Sequence, residues 1–186
     1  MTLRLYLAHP ILSREDVRRK ELAFESRTGI VLVNPFYDGD EAEVIKLLDS
    51  GKLTLQEYAA KLNEEGHGKE FVQDDLRAID RNDGVVAVVY RGTPTIGTAM
   101  EVMYDVVRYA LFPDFLRSWL RGHNISFDEA DIEKERKPVY IVTNFPEHIW
   151  LIYAAKKTGG FIVETFSELE EKLMAKLEKE KKNGGG

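Results

Sequence analysis

Short apolar runs alternate along the chain with longer stretches in which apolar residues recur every three or four positions. Leu3 to Ala8 is the first run, ended by His9-Pro10. Ser13 is placed to cap a helix reaching about Arg27, with Thr28-Gly29 as its stop. Ile30 to Val33 follows and is closed by Asn34-Pro35. Gly84 to Tyr90 is apolar throughout, as expected of a strand covered on both faces. Pro138 to Val142 and Gly160 to Val163 supply the last two runs.

Strands separated by helices predict an α/β fold with a mainly parallel sheet and helices on both sides. The right-handed crossover rule makes a doubly wound, five-stranded sheet of order 2-1-3-4-5 the economical arrangement. Ligands of such sheets bind beyond the carboxyl ends of the strands, where strand order reverses. The segments to inspect are therefore Ala8-His9-Pro10, Asn34 to Asp40 and Arg91 to Glu101. Residues 1–182 are read as one domain, with 183–186 a disordered tail after a charged helix from Glu168 to Lys182. Two stretches exceed the minimal plan: 41–66, two short helices broken at Ser50-Gly51, and 111–137, a charged, partly helical excursion. Each fits a lid, a subunit contact or surface decoration.

Composition narrows the function classes. A 44% hydrophobic fraction over 186 residues is enough for a core. The net charge of −6 argues against coating a nucleic acid polymer, which needs a basic face, but not against holding a single nucleotide. With no cysteine, thiolate nucleophiles, disulfides and cysteine-based zinc sites drop out. His9, His67, His123 and His148 show no metal-ligand spacing, so no metal site is expected. Met1-Thr2-Leu3-Arg4 opens no signal-peptide h-region, and no apolar run reaches the roughly 18–20 residues of a membrane span. A cytoplasmic protein is the simplest reading.

The loop after the Gly84–Tyr90 run leads into apolar residues at 99, 102, 103, 106, 107 and 110, which predict a helix beginning near Thr98. Free N–H groups at its amino end, with the small residues Gly97, Thr98 and Ala99, would let a sugar or phosphate approach. Thr98-Ala99-Met100-Glu101 matches a capping box, and on residue chemistry alone Glu101 reads as a cap. Phe71, Val72, Leu76 and Ile79 define the buried arc of another helix, with Asp75 inside it and Asp74 outside. Burial raises a carboxyl's pKa and suits it to proton donation, although a bond to Arg77, Arg81 or a helix terminus would explain Asp75 equally. Tyr6 reads as strand core with a hydroxyl seeking one partner. His9 and Pro10 shape the strand exit. Asn34 to Asp38 reads first as a turn whose Phe36 and Asp38 could stack on a base and bond its edge. No dinucleotide G-x-G-x-x-G, P-loop or G-x-S-x-G motif is present.

Taken in order, Tyr6-Leu7-Ala8-His9-Pro10, Asn34-Pro35-Phe36, Asp74 to Ile79 and Gly97-Thr98-Ala99-Met100-Glu101-Val102 resemble the nucleoside 2-deoxyribosyltransferase family, with Asp75 lying 26 residues before Glu101. The resemblance runs from residue 3 to about 110 and continues more weakly through Pro138 to Glu164. It implies a flavodoxin-like fold and a homo-oligomer that uses no metal or organic cofactor. Its partners would be a small-molecule nucleoside or nucleotide and a nucleobase. By position, Glu101 would attack C1′ of a 2′-deoxyribonucleoside, Asp75 would protonate the departing base, and Tyr6 would orient the glutamate. His9, Phe36, Asp38, Thr95, Gly97 and Thr98 would bind substrate. Thr95 stands where these transferases carry a sugar-binding aspartate. A neutral hydroxyl there is more like the related nucleoside 5′-monophosphate N-glycosidases, because a carboxylate would repel the phosphate. The sugar would pass to a second base, or to water in the hydrolytic alternative. A non-catalytic nucleotide-binding sensor domain is the competing reading from another class.

Overall fold

The structure, a computed structural model, describes residues 2–39, 41–64, 67–129, 132 and 136–183. In chain order its elements are β1 (Arg4–Ala8), α1 (Arg14–Thr28), β2 (Val31–Val33), α2 (Pro35–Asp38), α3 (Ala42–Asp49), α4 (Leu55–Leu62), α5 (His67–Arg81), β3 (Val85–Val89), α6 (Ile96–Val106), α7 (Phe112–Gly122), β4 (Val139–Thr143), α8 (Ile149–Thr158), β5 (Ile162–Val163) and α9 (Phe166–Asn183). Among the described residues five strands form one sheet of order β2-β1-β3-β4-β5, and every pairing is parallel. This is the doubly wound order expected from the alternation of runs. The carboxyl ends of β1 and β3 lie side by side, with Ala8 opposite Ala87.

Side chains alternate along a strand, so each strand feeds two cores. Leu5 and Leu7 face one layer, packed with Val17 and Phe24 of α1 and Phe166, Leu169 and Leu173 of α9. Tyr6 and Ala8 face the other, with Ile79 of α5, Val102 and Val106 of α6 and Ala154 of α8. Gly29 ends α1 in the left-handed region at φ 70°, the backbone its place after Thr28 suggested. No helix among the described residues is long and apolar enough to cross a membrane.

The first insertion forms α3 and α4, broken at Ser50-Gly51 as expected, with Gly51 at φ 70°. Ile45, Leu48 and Tyr58 build a small core of their own against Phe36. Arg14 donates to Asp49 at 2.7 Å and Tyr37 Oη to the same carboxylate at 2.9 Å, which fastens α3 to α1 and α2. The second insertion is partly helical, as expected. α6 passes through a π-helical turn, Val107–Leu111, into α7. Asp114 of α7 pairs with Arg117, Arg136 and Lys157, tying this helix to the approach to β4 and to α8. Residues 130, 131 and 133–135 of the excursion and 184–186 of the expected tail lie outside the described residues, whereas Asn183 belongs to α9.

Candidate active site

Tyr6 is fully buried on β1 and projects toward the layer of α5 and α6. Its hydroxyl donates a hydrogen bond of 2.6 Å to Glu101 Oε1. Glu101 sits in the second turn of α6, not in the first, because that helix begins at Ile96 with Thr95 as its N-cap residue. The capping box expected from Thr98 to Glu101 is therefore not formed. Ala99 N donates instead to the Thr95 carbonyl at 2.8 Å, which leaves the Glu101 carboxyl to Tyr6. Asp75, on α5, is 9% exposed and shares the same cleft. Arg77 does not pair with it; its guanidinium donates to Asp74 at 2.9 Å, on the outer face. Ile79 is fully buried as the helical arc suggested, whereas Val72 is half-exposed on the cleft wall, and the Phe71 side chain lies outside the described residues.

The cleft has a volume of about 460 Å³, in the range of small-molecule sites. It opens beyond the carboxyl ends of β1 and β3, where the strand order reverses. Of the residues singled out from sequence, it gathers Glu101, Asp75, Thr95, Gly97, Thr98, His9 and Phe36, with Tyr6 bonded to Glu101 in the core behind. Asp38 stands outside it. Its carboxylate turns back to accept from Asn34 N at 2.8 Å, closing the turn after β2. Pro94 and Met100, from the Arg91 to Glu101 segment, also line the cleft, as do Tyr58 and Leu62 of α4, which no sequence pattern singled out.

Electrostatics follow from burial. Desolvation raises Glu101 to about 8, the charge of Asp75 adds to this, and the Tyr6 hydrogen bond opposes it. Desolvation likewise lifts Asp75 to about 6, with Tyr6 opposing and Asp74 and Glu41 adding. Two neighbouring acids titrate as a unit, so near neutrality the pair holds one proton between them. Burial, then the two carboxylates, drives the Tyr6 phenol far above its ordinary value, so it remains a donor.

His9 packs edge-on against Phe36, centroids 4.9 Å apart, and burial lowers its pKa to about 4. Its Nε2 lies 3.2 Å from Asn34 Oδ1 and its Nδ1 3.2 Å from the Pro10 carbonyl. A neutral imidazole has one N–H, so one contact at a time is a hydrogen bond. Asn34 also accepts from Phe36 N at 3.2 Å and donates to the buried Glu21 at 2.6 Å, which fixes its orientation. Thr98 Oγ1 is buried with no partner, and a Cβ added to Gly97 would meet nothing within 4 Å. Both features leave room for a ligand at the amino end of α6.

The fold and site thus define a doubly wound α/β domain whose switch-point cleft holds a Tyr-anchored glutamate beside a second buried carboxyl. No family model matches the sequence, and no curated protein matches it. Among solved structures eleven chains match. One is the CMP N-glycosidase BcmB of Clostridium botulinum, 15% identical over 92% of this chain and 98% of its own, with a TM-score of 0.44.

Proposed function

We propose that this protein breaks the N-glycosidic bond of a 2′-deoxynucleoside or its 5′-monophosphate, with Glu101 as nucleophile and Asp75 as acid. The observation that carries the reading is the 2.6 Å bond from the fully buried Tyr6 to Glu101, beside Asp75 in one cleft. A Glu101 oxygen attacks C1′ as the bond from C1′ to the base nitrogen breaks, and the electron pair leaves with the base. Asp75 delivers its proton to that base. The bond between Glu101 and C1′ is then broken by attack of a second base, which completes a transfer, or of water, which completes a hydrolysis. The Asp75 carboxylate takes the proton that the attacking N–H or water loses, and Glu101 leaves as a carboxylate. Two displacements retain the anomeric configuration, as in a retaining glycosidase. Substrate decides where the shared proton resides, because positive charge developing at C1′ favours an ionised Glu101 and leaves the proton on Asp75.

The 5′-monophosphate is the better fit at the sugar end. Thr95 is neutral, the amino end of the eleven-residue α6 is open at Gly97, and Thr98 Oγ1 awaits a partner. Among the described residues no Lys or Arg lines the cleft, so amide N–H groups and hydroxyls would hold the phosphate. A second copy of the chain is the partner we propose for the face around the cleft mouth. Ile96, Met100 and Met103 of α6 and Val107 of the π-helical turn form an exposed apolar row, beside Ile149, Trp150 and Tyr153 of α8.

The test is to incubate the protein with deoxynucleosides and their monophosphates, each with and without an acceptor base, and to separate the products by chromatography. A new nucleoside means transfer and free base alone means hydrolysis. Ligand binding without turnover by the folded protein would point to the sensor-domain reading.

A further inference from the structure

Two hydroxyls in the wall of the cleft are buried without any hydrogen-bond partner, Thr98 Oγ1 and Tyr58 Oη. A buried polar group left unpaired is costly, and in a ligand cleft it marks a contact that the ligand completes. Thr98 belongs to the amino end of α6, where the sugar and its 5′ substituent are placed above. Tyr58 belongs to a different element. It is carried by α4, which packs on α5, the helix that bears Asp75. Its ring joins Phe36, Ile45 and Leu48 in the small core of the insertion.

That core packs α4 against α3, and the bonds from Arg14 and Tyr37 to Asp49 fasten α3 to α1 and α2. The Tyr58 phenol is held well above its ordinary range, first by burial and then by the charges of Glu41 and Asp75. It therefore keeps its proton and offers a donor on the side of the cleft where Asp75 stands.

We propose that Tyr58 is a base-recognition residue, whose hydroxyl donates a hydrogen bond to an acceptor on the departing nucleobase. This rests on the assignment of Asp75 as the group that protonates the base. The helix α4 is then the part of the chain that selects the base, while α6 holds the sugar. Purines and pyrimidines carry their ring-nitrogen and carbonyl acceptors at different distances from the glycosidic bond. One fixed donor cannot serve both classes equally.

The test compares wild type with Tyr58→Phe on dAMP, dGMP, dCMP and dUMP, with 2-deoxyribose 5-phosphate as an inhibitor that lacks a base. A single neutral hydrogen bond is worth about three- to tenfold in affinity. The expected result is a KM increase of that size for one class of base, clearly smaller for the other, with inhibition by the sugar phosphate unchanged. Without ligand the variant should melt at or above the wild-type temperature, because an unpartnered hydroxyl has been removed. A uniform loss across all four nucleotides, no loss, or weakened inhibition by the sugar phosphate would overturn the proposal. If wild type cleaves none of the four and none of the matching deoxynucleosides, the assigned reaction fails, and calorimetric titration with the free bases decides the role of Tyr58. Weaker binding of one class to Tyr58→Phe then supports it, and equal binding or none to wild type sinks it.

Discussion

The Tyr6 hydroxyl donates a 2.6 Å hydrogen bond to Glu101 Oε1, joining the first strand to α6 across 95 positions of chain. Tyr6 is a fully buried donor and Glu101 a partly buried acceptor, so each side chain supplies the other's polar partner. The bond also lowers the pKa of Glu101 against the stronger effects of burial and of Asp75. Replacing Tyr6 with Phe should therefore raise the acid limb of the pH profile and lower kcat. A hydrogen bond to a charged group is worth roughly 1.5–3 kcal/mol, or about 10- to 150-fold in rate. Kinetics across pH on a substrate that turns over would check both effects, and an unmoved acid limb would remove Tyr6 from the mechanism.

Glu101→Gln should abolish base release, with a loss of roughly 10³-fold or more, and leave the melting temperature close to wild type. The second expectation follows from its place in the helix. A residue in the second turn caps nothing, so the roughly 0.5–2 kcal/mol that a lost cap costs does not apply. Mass spectrometry of wild type quenched during turnover should find the deoxyribosyl group on Glu101 and on no other residue.

Asp75 and Glu101 predict a bell-shaped profile of kcat/KM. Below about 6 both carboxyls carry protons and no nucleophile exists; above about 8 both are ionised and no acid remains. These limits belong to the pair and not to either residue alone. Asp75→Asn should flatten the alkaline limb and slow most the bases that leave poorly without protonation. An unchanged rate on purine substrates would refute its role as the acid.

Asp105 of α6 is fully buried and neither carboxyl oxygen has a partner. Burial raises it from 3.8 to about 7, with Lys137 opposing and Asp80 adding. Between those values the folded chain binds a proton that the unfolded chain has released. Stability should therefore fall as pH rises from about 4 to about 7 and level off above. Asp105→Asn should stabilise the protein by roughly 2–4 kcal/mol at pH 8 and change little near pH 4. Thermal melts at the two pH values would show whether the gain is confined to the alkaline side.

The strands, their order and the switch-point cleft were legible because apolar runs in a sheet covered on both faces have few alternatives. Asp75 was legible as a charge inside an apolar arc. The start of α6 was not, because Thr98-x-x-Glu101 has the spacing of a cap while Pro94-Thr95 starts the helix a turn earlier. A proline such as Pro113 normally interrupts a helix, yet α6 continues into α7 past it. Here the π-helical turn of Val107–Leu111 resets the hydrogen-bond ladder just before the residue that has no N–H. Tyr58 was invisible for another reason: a tyrosine on the apolar side of a short amphipathic helix looks like any core aromatic. Only its unpaired hydroxyl separates it from one.

Tyr6 lies between Leu5 and Leu7, whose side chains face the opposite layer of the sheet. A slip of one residue in the pairing of β1 with β3 would exchange those faces and leave Glu101 without its donor. On the mechanism proposed above, catalytic competence would be a report on strand registration. A chain that folds to the right outline with β1 out of step would look native in size and helix content and yet be chemically silent.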